Sequence, residues 1–308
     1  MSYNFDPELA EAISMLPTAD FSDVEASRKM LDDLLGTINA DVDLTHLLVE
    51  DRAIAGPEAG VEVPIRRYSP LGDAGTRPAV LYIHGGGFVI GSIESEHAQA
   101  AAIANAGVVV VSVEYRLAPE HPFPAGLEDC YAALRWIHDR AGDLGVDVER
   151  VAVFGQSAGG GLAAATALLA RDRGGPPLCF QYLGIPELDD RLETVSMQAF
   201  ADTPLWNRPN AVLSWQFYLG GQPASVYAAP ARATDLTGLP PAYISTMEFD
   251  PLRDEGITYA LRLLQAGVSV ELHQYPGTFH GSSIVNTAAV SKRQAAETLE
   301  VVRRRLGV

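Results

Sequence analysis

Positive charge is scarce in this 308-residue chain: 22 Lys and Arg stand against 39 Asp and Glu, for a formal net charge of −17 and a pI near 4.7. A molecule of that sign repels phosphate backbones and anionic lipid, so neither nucleic acid nor a membrane surface is an expected partner. Its bland consequence is solubility. Long apolar runs are missing as well. Val108–Val111 is among the longest, far short of the ~18 residues that span a bilayer. The opening Met1-Ser-Tyr-Asn-Phe-Asp-Pro-Glu8 has no basic or apolar leader pattern, so the expectation is a soluble, cytoplasmic protein. There are two cysteines, Cys130 and Cys179, with neither metal-type spacing nor a disulfide framework between them. Internal repeats and low-complexity tracts are absent.

What is present is ample core material. At 47% hydrophobic and 20% charged residues the chain can bury most of its unfolded surface, which excludes disordered and disulfide-scaffold classes. Its length fits one large domain with an accessory piece. Short β-branched runs alternate with Ala-rich helical patterns, the signature of βαβ units winding a mostly parallel sheet. Strands are expected at Val61–Tyr68, Ala79–His84, Val108–Val113, Val151–Phe154, Leu178–Leu183, Ala242–Phe249 and Val268–Tyr275. Helices are expected at Glu96–Ala106, Leu127–Arg140, Gly159–Arg173, Asp254–Ala266 and Ser291–Arg305. Val108–Val113 is nearly continuously apolar, broken only by Ser112, as a strand covered on both faces requires.

Two stretches break the rhythm. Residues 1–50 precede the first expected strand and carry Met30, Leu31, Leu34, Leu35 and Ile38 at helical spacing. Residues 187–222 form a long insertion rich in aromatics and acids, the kind of excursion that becomes a lid.

The sharpest chemical signal is Gly155-Gln-Ser157-Ala-Gly159, a G-x-S-x-G placed where a strand gives way to a small-residue helix. Such a turn lifts the hydroxyl out of the backbone, and its crowding excludes side chains two positions either side of the serine. About 70 residues upstream, a strand ends in His84-Gly85-Gly86-Gly87-Phe88. Glycine amides there, with the N–H of Ala158, can aim at a developing oxyanion. Which of Gly85, Gly86 and Gly87 donate is open at this level. His84, at the strand end, is expected to be a structural hydrogen-bonder. A phosphate loop is disfavoured, since neither G-K-[ST] nor G-x-G-x-x-G follows.

The base and acid should follow in the order Ser, Asp, His. His273 lies within an alternating strand, whereas His280 sits on the loop beyond it. Asp250 ends the preceding strand, at the sheet edge where open α/β sheets place their sites. Asp254 is explained by its place in the first turn of a helix. Ser157, Asp250 and His280 are therefore the candidate triad.

Together with Tyr115-Arg-Leu-Ala-Pro-Glu-His-Pro-Phe-Pro-Ala125, Ile185-Pro-Glu-Leu-Asp-Asp-Arg-Leu-Glu-Thr-Val-Ser196, Asp250–Gly256 and Pro276-Gly-Thr-Phe-His-Gly281, these residues give the whole chain a resemblance to the bacterial hormone-sensitive-lipase-like family. The resemblance implies an α/β-hydrolase fold with a helical cap built from residues 1–50 and the insertion at about 187–222 of the 51–308 core. It also implies a serine carboxylesterase taking short acyl esters and water, with neither metal nor organic cofactor. Gln156 and Ser282 depart from the family's usual Asp or Thr and Phe, which bears on acyl preference. Phe200, Trp206 and Trp215 are the expected pocket aromatics. Glu187, Asp189 and Asp190 are acids that would draw a cationic, amine-bearing ester. The same triad also serves amides, lactones and thioesters, and a non-catalytic receptor is the reading from another class. An exposed edge near Val268–Tyr275 would permit a homodimer.

Overall fold

The computed structural model describes residues 3–16, 20–72 and 75–308. Eight strands form one sheet in the order β1-β2-β4-β3-β5-β6-β7-β8. They are β1 Leu47–Ala55, β2 Glu62–Pro70, β3 Arg77–Ile83, β4 Val109–Val113, β5 Val146–Gln156, β6 Phe180–Gly184, β7 Ala242–Phe249 and β8 Val270–Phe279. β2 runs antiparallel to β1 and β4; every other pairing is parallel. The helices are α1 Pro7–Ala12, α2 Val24–Ile38, α3 His97–Asn105, α4 Ala125–Asp139, α5 Ala141–Leu144, α6 Ala158–Asp172, α7 Val195–Ala199, α8 Arg208–Leu219, α9 Arg253–Gln265 and α10 Ala289–Leu306.

Seven strands were legible from pattern; β1 was not. Its burial alternates poorly, since only Leu47 and Ile54 are buried among nine residues, so it reads as polar linker. It begins inside the stretch taken for the N-terminal segment, so residues 47–50 belong to the sheet. Helix α2 matches the expected amphipathic pattern, although the side chain of Ile38 lies outside the described residues. No helix among the described residues is long and apolar enough to cross a membrane.

Alternation sorts the central strands onto two cores. Leu81, Ile83, Val109, Val111, Val151 and Val153 face one core with α4, α6 and α9; Val80, Tyr82, Val108, Val110, Ala152 and Phe154 face the other with α3 and α10. On the second face, Tyr82, Phe154, Tyr182 and Tyr243 sit in register on β3, β5, β6 and β7 and stack with centroids 4.8, 4.0 and 4.8 Å apart. Aromatic pairs in this arrangement contribute roughly 0.5–1.5 kcal/mol each beyond their burial. They tie the strands that end beneath Ser157.

The Tyr115–Ala125 stretch leaves β4 and is pinned by Asp129 of α4. That carboxylate is fully buried and accepts from Arg116 Nε and Nη2, both at 2.8 Å, and from the Arg116 amide at 3.0 Å. Asp129→Ala removes the counter-charge and three acceptor contacts. A loss of about 2–3 kcal/mol is expected, read as a Tm lower by about 6 °C. An unchanged Tm would show that water replaces the carboxylate at no cost.

Candidate active site

The turn after β5 places Ser157 in a backbone conformation few side chains adopt, φ 56° and ψ −122°. Such strain costs about 1–3 kcal/mol and persists because the neighbours enforce it. The Ser157 amide donates to the Gly184 carbonyl at 2.8 Å, and the Ser157 carbonyl accepts from Gly161 and Glu187 at 3.0 Å each. The crowding expected of the motif is real: a Cβ on Gly155 would lie 2.0 Å from the Gly159 carbonyl oxygen, and one on Gly159 would lie 2.2 Å from that of Ile83. α6 then runs directly away from the serine.

Ser157 Oγ lies 2.8 Å from His280 Nε2, and His280 Nδ1 lies 2.7 Å from Asp250 Oδ2. A carboxylate can only accept from Nδ1, so Nδ1 carries the proton and Nε2 is the acceptor facing the serine hydroxyl. Asp250 is fully buried, and its other oxygen accepts the Leu252 amide at 2.8 Å, which fixes its rotamer. Ser157 and His280 are only 8% and 6% exposed.

The three-glycine loop follows the end of β3. Tyr82 donates its hydroxyl to the Glu96 carboxyl at 3.1 Å. Burial pushes Glu96 up to about 7. The amides of Gly86, Gly87 and Ala158 donate to no backbone partner among the described residues. Gly86, at φ 112°, holds the tight turn, its carbonyl accepting from Val89 at 3.1 Å and Ile90 at 2.9 Å. His84 is a brace. It contacts the Gly85 carbonyl at 2.7 Å and stacks on Tyr115 at 4.2 Å, and burial lowers it to about 4, so the ring is neutral.

The sequence-expected aromatics divide. Trp206 lies 5.8 Å from the His280 ring and over Gly87. Phe200 instead packs on Tyr3 and Phe249 and beneath Arg253. Trp215 belongs to the core, against Phe88 and Tyr218. Phe21, which no motif marked, sits 5.3 Å from Trp206 and also over Gly87. Only its apolar character ahead of α2 signalled it. Phe21 shares a buried cluster with Met197, Trp206 and Ala211, so the N-terminal segment and the insertion pack together beside the serine. Arg28 of α2 fastens them to the loop exit by donating to the Val89 and Ala118 carbonyls at 2.9 and 3.0 Å.

The acids correct the expectation of charge steering. Glu187 is wholly buried and held neutral, pushed up to about 8 chiefly by burial. Asp189 is paired bidentately with Arg191, and Asp190 with Arg232. None offers a free negative charge to an incoming cation. Gln156 likewise turns aside, its amide donating to Gln99 at 3.3 Å, and Ser282 is buried.

Residues 80–283 match a family model described as alpha/beta hydrolase fold. Carboxylesterase NlhH of Mycobacterium tuberculosis is 45% identical over 264 residues, 83% of this chain and 81% of its own. Esterase LipI of the same organism is 38% identical over 309 residues, 96% and 95% of the two chains. Among solved structures, a bacterial heroin esterase superposes with a TM-score of 0.97 at 57% identity, covering 98% of each chain.

Proposed function

The chain belongs to the α/β-hydrolase family, among its carboxylic ester hydrolases, and from that membership we propose that Ser157, His280 and Asp250 cleave short acyl esters of small neutral alcohols through an acyl-enzyme. The observation that carries this reading is the unbroken hydrogen-bond line Ser157 Oγ, His280 Nε2, His280 Nδ1, Asp250 Oδ2 at 2.8 and 2.7 Å.

In the first half-reaction the Ser157 proton passes to His280 Nε2 as Oγ bonds to the ester carbonyl carbon. The carbonyl oxygen takes the negative charge and accepts from the amides of Gly86, Gly87 and Ala158. Each such donor is worth ~2.7–4 kcal/mol of barrier. As the tetrahedral adduct collapses, the C–O bond to the alcohol breaks and His280 returns its proton to the leaving alkoxide. Water then attacks the acyl carbon as its proton passes to His280, and when the adduct collapses the bond from carbon to Ser157 Oγ breaks, His280 returns the proton to Oγ and the acid is released. Asp250 keeps Nδ1 protonated and stabilises the imidazolium throughout.

The N-terminal segment ahead of β1 and the 187–222 insertion act as the cap, with Phe21 and Trp206 as the wall nearest the serine. Trp206→Ala enlarges that wall. The ratio of kcat/KM for hexanoyl over acetyl p-nitrophenyl esters is expected to rise about 10-fold, the scale of ~1–3 kcal/mol per methylene in such pockets. An unaltered chain-length profile would remove Trp206 from the acyl site.

The heroin esterase likeness favours an ester over an amide or thioester. The three triad side chains also leave a receptor without turnover unsupported. The whole reading is tested by measuring p-nitrophenyl acetate hydrolysis by the wild type and by Ser157→Ala.

A further inference from the structure

Glu187 lies three residues beyond β6, and its backbone braces the serine turn from below. Its amide donates to the Ser157 carbonyl at 3.0 Å, and its own carbonyl approaches Gly161 closely. The side chain turns inward, fully buried. Oε1 is 3.1 Å from Ser214 Oγ on α8, and Oε2 has no partner among the described residues.

Ser214 Oγ is also 2.9 Å from the carbonyl oxygen of Gly87, in the oxyanion loop. A hydroxyl has one proton, and a carbonyl can only accept. The Ser214 proton therefore goes to Gly87, leaving a lone pair towards Glu187. Only a protonated carboxyl can complete that contact by donating. The groups facing Glu187 agree: Asp250 at the end of β7, Glu255 of α9, Tyr218 of α8 and Tyr115 after β4. Each is an acid or a phenol, and none is a cation that would hold a carboxylate there.

We propose that Glu187 is a positioning residue working as a neutral acid, donating to Ser214 so that Ser214 holds the Gly87 carbonyl and with it the glycine whose N–H faces the oxyanion. Burial pushes the carboxyl up to about 8, against the opposing contact with Ser214 and with the charge of Asp250 adding to it, so the protonated form predominates at neutral pH. Above that pH the proton is lost. The carboxylate then draws the Ser214 proton away from Gly87 and places negative charge beneath a loop built to accept negative charge.

This inference rests on the esterase reading, and its test separates the two. kcat and KM for p-nitrophenyl acetate are measured against pH for the wild type, Glu187→Gln, Glu187→Ala, Ser214→Ala and Ser157→Ala, with folding followed by circular dichroism. Glu187→Ala and Ser214→Ala are expected to lower kcat about 10- to 100-fold with KM nearly unchanged, the scale of a displaced oxyanion donor. Glu187→Gln, whose amide also donates to Ser214, is expected to restore most of that loss and to lack the fall in kcat above about pH 8 expected of the wild type. A folded Glu187→Gln as impaired as Glu187→Ala would overturn the neutral-acid role. So would a wild-type kcat in Ser214→Ala, even if Glu187→Ala failed to fold. If Ser157→Ala stayed active, the esterase reading itself would fall, and this inference with it; if Ser157→Ala were inactive and the Glu187 and Ser214 series flat, only the inference would.

Discussion

Ser157→Ala is expected to lower kcat for p-nitrophenyl acetate by about 10⁵- to 10⁶-fold, leaving the slow turnover that binding and oxyanion donors alone supply. The serine is the only nucleophile within hydrogen-bond reach of His280 Nε2, at 2.8 Å, among the described contacts. Removing its oxygen removes the covalent step and leaves His280 to act on water in a pocket shaped for a different attack. The fold should be kept. The Ser157 amide still donates to Gly184 and its carbonyl still accepts from Gly161 and Glu187, because those bonds belong to the backbone. Alanine meets the same penalty at φ 56°, so Tm should move by less than about 2 °C. A rate within tenfold of the wild type, in protein with an intact circular dichroism spectrum, would refute the assignment of Ser157.

His280→Ala should cost a comparable factor, about 10⁵-fold in kcat, since an unassisted serine hydroxyl is a poor nucleophile and the same imidazole serves both half-reactions. Asp250→Asn provides the finer test. An asparagine amide in place of Oδ2 donates to Nδ1, which forces the proton onto Nε2 and turns the base into a donor facing Ser157. The expected loss is about 10⁴-fold with the geometry intact. His84→Ala, by contrast, should keep measurable turnover, because His84 touches Gly85 and Tyr115 and not the reacting atoms. If His84→Ala fell as far as His280→Ala, the division between base and brace would be mistaken. Steady-state kinetics at saturating ester, alongside thermal melts, decide all three.

The physical reason some of this was legible in the chain is that its signals are local. A G-x-S-x-G between a strand and a helix constrains the backbone within five residues, and the glycines on either side of Ser157 are demanded by contacts near 2 Å. Nearly continuous apolar runs such as Val108–Val113, broken only by Ser112, announce strands covered on both faces, and they are found there. β1 escaped because an edge strand with one sparsely buried face lacks the periodicity that marks the others.

Long-range packing was not legible. Trp215 and Trp206 lie on the same insertion with similar chemistry, yet one fills the core under Phe88 and the other flanks His280. Nothing in their spacing distinguishes them. Glu187, Asp189 and Asp190 look alike as a run of acids, but burial neutralises the first while Arg191 and Arg232 neutralise the others.

The sequence by itself determined the fold class, the candidate serine, base and acid, and the order in which they occur, because each is written in a few adjacent residues. Only the tertiary structure decided which aromatics flank the catalytic candidates, since it sets Trp206 against His280. It alone joined Glu187, Ser214 and Gly87, residues 27 and 127 positions apart, into one hydrogen-bonded line. Partners at such separations leave no local pattern, and their protonation is set by burial that exists only once the chain has folded.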